Sequence, residues 1–101
     1  MAIVQVQDFE VEEGDRSTTN YDAIGERLGA DSDPPAGLIV HTAGFVDGKT
    51  FRILDVWESE EAWVSFRDGR LAEAIKPVME SSEGSPPTTQ YVYELHDLIR
   101  P

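Results

Sequence analysis

The segment from Ile53 to Val78, ILDVWESEEAWVSFRDGRLAEAIKPV, constrains the fold more than any other part of the chain, because an apolar strand runs into a capped amphipathic helix with almost no loop between them. Ile53, Leu54, Val56 and Trp57 read as a strand buried on both faces. Ser59 supplies an N-cap oxygen, and Glu60 and Glu61 fall in the first helical turn, where carboxylates meet the positive end of the helix dipole. The apolar stripe of this helix then rotates. Ala62, Trp63 and Phe66 point one way, while Leu71, Ala74, Ile75 and Val78 are centred roughly 100° away. That rotation predicts a bend or break at Asp68-Gly69, since Gly weakens a helix interior by up to about 1 kcal/mol relative to Ala.

The remaining elements fall into place around this pair. Ala2 to Phe9 reads as a first strand, with Val4 and Val6 on one face and Ile3, Gln5, Gln7 and Phe9 on the other. EVEEGDRST connects it to a short helix capped by Thr19 or Asn20, striped by Tyr21, Ile24 and Leu28 and ended by Gly29. ADSDPPAG, residues 30–37, is a loop by composition. GLIVHTAGFV and KTFRILDVW follow as strands around Asp47-Gly48, a hairpin signal. ESSEGSPPT is a second loop, and Gln90 to Ile99 is a last strand. Residues 1–101 thus form a single domain of order βαββαβ. Two right-handed crossovers in that order give an α+β, ferredoxin-like fold: a four-stranded antiparallel sheet with two helices on one face.

The other face of such a sheet would ordinarily be polar. Here both phases of strands two and three are mostly apolar, so the face away from the helices needs a cover. A second copy of the same sheet is the simplest one, which predicts a homodimer through sheet-to-sheet packing. The small size of the chain points the same way, because 101 residues bury limited apolar area on their own.

Composition narrows the partners. Twenty acidic residues against eight basic ones give a net charge of −12, which repels phosphate backbones and anionic lipid headgroups and argues against nucleic acid and membrane partners. The absence of cysteine removes disulfides, thiolate nucleophiles and cysteine metal sites together. The N-terminus has no basic, apolar leader pattern, and no segment approaches the roughly 20 apolar residues a membrane helix needs. A soluble, cytoplasmic protein is the expectation.

Chemistry is carried by few residues. His41 and Asp55 are polar positions inside the apolar strands LIVHTA and ILDVW, and a carboxylate in such a place must be hydrogen-bonded, paired or protonated. If the hairpin loop has an odd number of residues, for example Val46-Asp47-Gly48 with Gly48 left-handed, His41 and Asp55 share a face with Ile39, Phe45, Phe51, Ile53 and Trp57. An even number places them on opposite faces. On a shared face they read as a general base and its orienter, at the wall of a cavity between the sheet and the second helix. A purely structural hydrogen bond is the alternative. Trp63 and Phe66, with Tyr21 from the first helix, would wall a pocket if the helices stand off the sheet, or fill the core if they do not. His96 shares a phase of the last strand with Val92, Glu94 and Leu98 and reads as a surface or interface residue. No metal-binding spacing, G-x-S-x-G, P-loop or dinucleotide fingerprint occurs.

With its Gly37-initiated strand carrying His41, the run Val56-Trp57-Glu58-Ser59 into the second helix, and the stretch from Phe66 to Pro77, the chain resembles the dimeric α+β barrel superfamily, and within it the antibiotic-biosynthesis-monooxygenase-like proteins. The resemblance implies a dimeric α+β barrel. It spans cofactor-free oxygenases of polyketide-type aromatics, haem-degrading enzymes and small proteins without assigned function. The haem-degrading branch fits poorly: its first-strand asparagine falls among Gln5 and Gln7, its helix-two tryptophan on Phe66 and its haem-ligating histidine on Lys76. For the quinone-forming oxygenases the resemblance implies an apolar pocket with an Asn, a Trp and a Tyr near the substrate, for which Asn20, Trp57, Trp63 and Tyr21 are the candidates. The expected function is a cofactor-independent monooxygenase or isomerase acting on a hydrophobic aromatic or polyketide-like metabolite. His41 and Asp55 are its catalytic pair, Tyr21, Trp57, Trp63 and Phe66 its substrate-binding wall, and no metal or other cofactor is required. The alternative is a non-catalytic homodimer of the same fold that binds a small hydrophobic ligand or serves a structural role.

Overall fold

The computed structural model describes the backbone of residues 1–80 and 86–101 and the side chains of residues 1–77 and 86–101. Four strands, β1 (Ile3–Glu10), β2 (Leu38–Phe45), β3 (Thr50–Trp57) and β4 (Thr89–Glu94), form one antiparallel sheet in the order β2-β3-β1-β4. Helix α1 (Thr19–Leu28) follows β1. The second crossover begins with α2 (Glu60–Phe66), passes through a π-helical turn (Arg67–Leu71) and continues as α3 (Ala72–Glu80). This is the βαββαβ, ferredoxin-like arrangement with its helices over one side of the sheet.

Local chemistry explains most element boundaries. Ser59 caps α2, its hydroxyl oxygen accepting the Ala62 N–H at 3.1 Å. Gly29 closes α1 in the left-handed region at φ 61°. Gly37, at φ 86°, opens β2 where a Cβ would come within 2.6 Å of the Ala62 Cβ, so only glycine lets the strand start so close to α2. The cap of α1 is Thr18, one or two residues earlier than Thr19 or Asn20. Its hydroxyl donates to the Asp22 carboxylate at 2.8 Å instead of capping a backbone N–H. The rotation of the apolar stripe near Asp68-Gly69 is real, and its form is a π turn. One wider turn shifts the following face without severing the helix. Val78 lies beyond the described side chains, so its place in that stripe does too, and the 80–88 loop falls partly outside the described residues.

The hairpin corrects one detail and keeps the parity. Phe45 pairs with Phe51 and Val46 N–H donates to the Thr50 carbonyl at 2.9 Å, leaving Asp47, Gly48 and Lys49 as three connecting residues. Gly48 is not left-handed. The turn is closed by the Asp47 carboxylate, which accepts the Lys49 N–H at 2.8 Å, and by the β1–α1 connector, whose left-handed Gly14 donates to the Gly48 carbonyl at 2.9 Å. The last strand also ends sooner than its pattern suggests, at Glu94. The Leu95 N–H still reaches the Ala2 carbonyl at 2.9 Å, but His96 lies past the strand and is exposed.

Ile3, Trp57 and Trp63 form the core under the helices, with Leu38, Ala62, Val64, Phe66, Leu71 and Val92 packed around them. On the opposite side of the sheet Val4, Val6 and Val56 form a second cluster with Ile39, Leu54 and Leu95; Ile39, expected on the face of His41, is turned to this side by a register shift between Leu38 and Val40. Val40, Tyr91 and Tyr93 lie exposed on that same side. It also carries the paired fork of Arg52 on Asp8, with Nε–Oδ1 at 2.7 Å, which lowers the Asp8 pKa through hydrogen bonding and charge. Apart from that ion pair the second face is mostly apolar, as its sequence pattern requires, with Leu95 packed against part of it.

Candidate functional site

Strand alternation decides which side chains meet the helices. Ile3, Gln5, Gln7 and Phe9 of β1 stand opposite Trp57, Asp55, Ile53 and Phe51 of β3, and His41, Ala43 and Phe45 of β2 stand opposite Asp55, Ile53 and Phe51. His41 and Asp55 are thus direct cross-strand partners on the helix-facing side. Three connecting residues in the hairpin produce that register.

The imidazole Nδ1 of His41 lies 2.6 Å from Asp55 Oδ1, and the Tyr21 hydroxyl of α1 lies 2.6 Å from His41 Nε2. A neutral ring that donates Nδ1–H to the carboxylate presents Nε2 as the acceptor for the Tyr21 O–H. The result is a continuous relay from Tyr21 through His41 to Asp55. Asp55 is its buried root, with 7% of the side chain exposed, while His41 keeps 42% of its side chain open. The hydrogen bond and charge of Asp55 raise the His41 pKa above its ordinary value, against the opposing effect of burial. Burial first, then the charges of Asp55 and Asp22, raise that of the Tyr21 phenol.

Around the relay runs a ladder of rings. Tyr21 lies parallel to His41 at 6.1 Å and edge-on to Phe51 at 5.3 Å; Phe51 meets Phe45 at 5.0 Å; and the Arg16 guanidinium sits 4.5 Å over the Phe45 ring. The helices do not seal this half of the sheet. No residue of α1 is buried, Ile53 in the middle of β3 is only half-buried, and Ala43 beside it is exposed. An aromatic-edged trough therefore lies open beside the relay.

The six residues singled out from the sequence separate into two groups. Tyr21, His41 and Asp55 come together, with Tyr21 joining the histidine rather than Trp63 and Phe66. Trp57, Trp63 and Phe66 interlock at the other end of the same face, with ring centroids 5.2 to 6.3 Å apart and both tryptophans buried. The relay faces α1 and not a cavity under the second helix. Two surface clefts, of about 430 and 420 Å³, lie elsewhere, between Leu38–Val40 and the C-terminal residues 98–101, and between residues 35–37 and α2; neither is lined by His41. One residue escaped the sequence reading. Gln5, completely buried opposite Asp55, carries an amide with no hydrogen-bond partner among the described residues. Its signal was a glutamine between Ile3 and Val6 in an otherwise apolar strand. Among the described residues no group of three or more His, Cys, Asp or Glu is placed to hold a metal ion, and no helix is long and apolar enough to cross a membrane.

No family model and no curated protein matches this sequence. Solved structures do match its fold. A protein of unknown function from Nitrosomonas europaea, NE2512, is 19% identical with a TM-score of 0.70, covering 99% of this chain and 94% of its own. The monooxygenase ActVA-Orf6 of Streptomyces coelicolor, solved with the ligand nanaomycin D, is 21% identical with a TM-score of 0.65, covering 99% and 92%. SnoaB, a cofactor-independent oxygenase from Streptomyces nogalater, is 13% identical with a TM-score of 0.61, covering 97% and 96%. The order of elements and the four-stranded antiparallel sheet are shared with these structures: the chain has the βαββαβ, ferredoxin-like fold that they have, monooxygenases among them.

Proposed function

We propose that the chain is a cofactor-independent enzyme, a monooxygenase or isomerase, that uses the Tyr21–His41–Asp55 relay on a hydrophobic aromatic or polyketide-like metabolite held in the open trough. The observation that carries this reading is the pair of 2.6 Å hydrogen bonds joining a phenol, an imidazole and a buried carboxylate beside solvent-open apolar surface. A substrate phenol or enol that donates to the Tyr21 oxygen loses its proton as the Tyr21 proton moves to His41 Nε2. The Asp55 carboxylate stabilises the imidazolium that forms. The resulting anion is electron-rich. Reprotonation at another atom completes an isomerisation, and attack on dioxygen begins an oxygenation in which one oxygen atom enters the ring as a carbonyl and the other leaves as water with the two displaced hydrogens. Support for the oxygenase branch comes from ActVA-Orf6 and SnoaB, which share the fold. A thermal-shift screen of phenolic polyketide-like compounds, followed by oxygen consumption on the hits, tests it. Stabilising ligands that are turned over only with intact Tyr21 and His41 are expected, and ligands bound without any turnover would leave the second reading.

That second reading is a non-catalytic binding homodimer, and one observation favours it: Trp57, Trp63 and Phe66 pack against one another, with ring centroids 5.2 to 6.3 Å apart, as core side chains do. In either case the apolar face bearing Val40, Tyr91 and Tyr93 is read as the homodimer interface. Equilibrium sedimentation at micromolar concentration should give about twice the 11.2 kDa chain; a stable monomer would refute it. No nucleic acid or membrane partner is proposed, and the net charge of −12 supports a cytoplasmic setting over a membrane-surface one.

A further inference from the structure

We propose that Gln5 and Trp57 hold an internal water beside Asp55, and that through this water Gln5 acts as a positioning residue for the His41 imidazole. Among the described residues three buried side-chain polar atoms, Gln5 Nε2, Gln5 Oε1 and Trp57 Nε1, have no hydrogen-bond partner. Both residues are completely buried. They also lie together: Gln5 stands directly opposite Asp55 in the β1–β3 register, and Trp57 follows Asp55 by two residues on the same face.

Buried polar atoms in folded proteins are almost always paired, because an unpaired one forfeits its hydration with nothing in return. Gln5 sits on a central strand between Ile3 and Gln7, where bulk water does not reach it, so its amide needs a local partner. The demand is specific. Two donor groups, the amide NH2 and the indole N–H, call for an acceptor, while the amide oxygen and the neighbouring carboxylate call for donors. A water molecule has two lone pairs and two protons, and buried waters typically make about three hydrogen bonds to groups of this kind. A purely apolar guest meets none of these needs.

The consequence reaches the relay. A water that donates to the Asp55 carboxylate spreads its negative charge and fixes the plane of the group whose other role is to accept His41 Nδ1–H at 2.6 Å. Gln5 would thereby set both the orientation of the imidazole and how readily it holds a proton, without touching a substrate. The inference deepens the relay reading of the same site. Its test uses the resting protein, so its failure and the failure of the catalytic reading remain distinguishable.

The test is an NMR titration of the His41 imidazole in the wild type and in Gln5→Met, which keeps the length of the side chain and removes the amide. Losing the water's donor leaves Asp55 a stronger partner, so the His41 titration should move upward by about half a unit. An unchanged His41 titration in a folded Gln5→Met variant would overturn the proposal, because the amide would then be core filling alone. Should that variant fail to fold, the wild type decides: a magnetisation-transfer cross-peak between a bound water and the Trp57 indole N–H is expected, and a protein that shows none has no such water.

Discussion

The two ends of the helix-facing side share strands, register and layer, yet they are built for different tasks. At one end Trp57, Trp63 and Ile3 are buried and α2 lies directly on β3, with Phe66 closing the aromatic cluster. At the other end α1 buries no residue, and Tyr21 reaches across to His41 and Phe51. The difference lies in side-chain volume. Two indoles and a phenyl fill the space between α2 and the sheet, whereas the single stripe of Tyr21, Ile24 and Leu28 is too narrow to do the same under α1. Stability is concentrated at the filled end and polar chemistry at the open one.

That division predicts two variants with opposite signatures. Trp57→Ala removes one of the two indoles of the filled end and should cost about 3–5 kcal/mol of unfolding free energy. Denaturant titration measures it, and a cost under about 1 kcal/mol would mean that the inner cluster is not the core. His41→Ala leaves the buried Asp55 without its hydrogen-bond partner and so should cost some stability, less than Trp57→Ala, while lowering turnover of any accepted substrate by about 10²–10⁴-fold, the usual worth of a general base. Unchanged turnover with a lowered melting temperature would make the relay structural, and the comparison between the ends would collapse into one of packing alone.

The pH dependence sharpens the open end. The folded-state pKa of His41 is raised by Asp55, so the stabilisation from the charged pair is fully present below the unfolded imidazole value of about 6.5 and is lost as pH rises through the higher folded value. The melting temperature of the wild type should exceed that of Asp55→Asn by more at pH 6 than at pH 8.5. Turnover should run the other way, rising with pH as His41 loses its proton, with the midpoint falling in Asp55→Asn. A midpoint that does not move would show that Asp55 is not the group tuning the imidazole.

How far these features could be read from sequence depended on how local their causes are. The cap at Ser59, the stop at Gly29 and the rotation near Asp68-Gly69 rest on neighbouring residues and were legible. So was the shared face of His41 and Asp55, because parity depends only on the number of connecting residues. The means were different, since Asp47 and the connector with Gly14 shape a turn that Gly48 does not. The partner of His41 was hidden: Tyr21 is an ordinary stripe residue in α1, and only the tertiary placement of α1 over β2 brings its hydroxyl to Nε2. Gln5 was hidden for a related reason, since a polar residue in a strand reads as a solvent position until the helix layer is laid over it. The end of β4 at Glu94 was equally invisible, because YVYELHDLI keeps an apolar pattern after its pairing with β1 has ended.

The smallest expected effect tests the joint between the two ends. The π turn separates α2, which seals the filled half, from α3, which packs against α1. Arg70, the fourth residue of this turn, donates to the Leu28 carbonyl at 2.7 Å and to the Asp33 carbonyl at 3.0 Å, so the turn also ties down the C-terminal end of the helix that carries Tyr21. Gly69 beside it is not held in the left-handed region, and a Cβ there would meet nothing within 4 Å. Gly69→Ala therefore adds no clash while reducing the freedom of the unfolded chain, and should stabilise the protein by about 0.4–1 kcal/mol. Because Arg70 stays anchored, the His41 titration should remain where it is. A stabilised variant with a displaced His41 titration would show that the wide turn sets the position of α1, and that the filled and open ends are coupled through it. A destabilised variant would show that the turn needs the backbone freedom of glycine, and that the rotation of the stripe is held under strain.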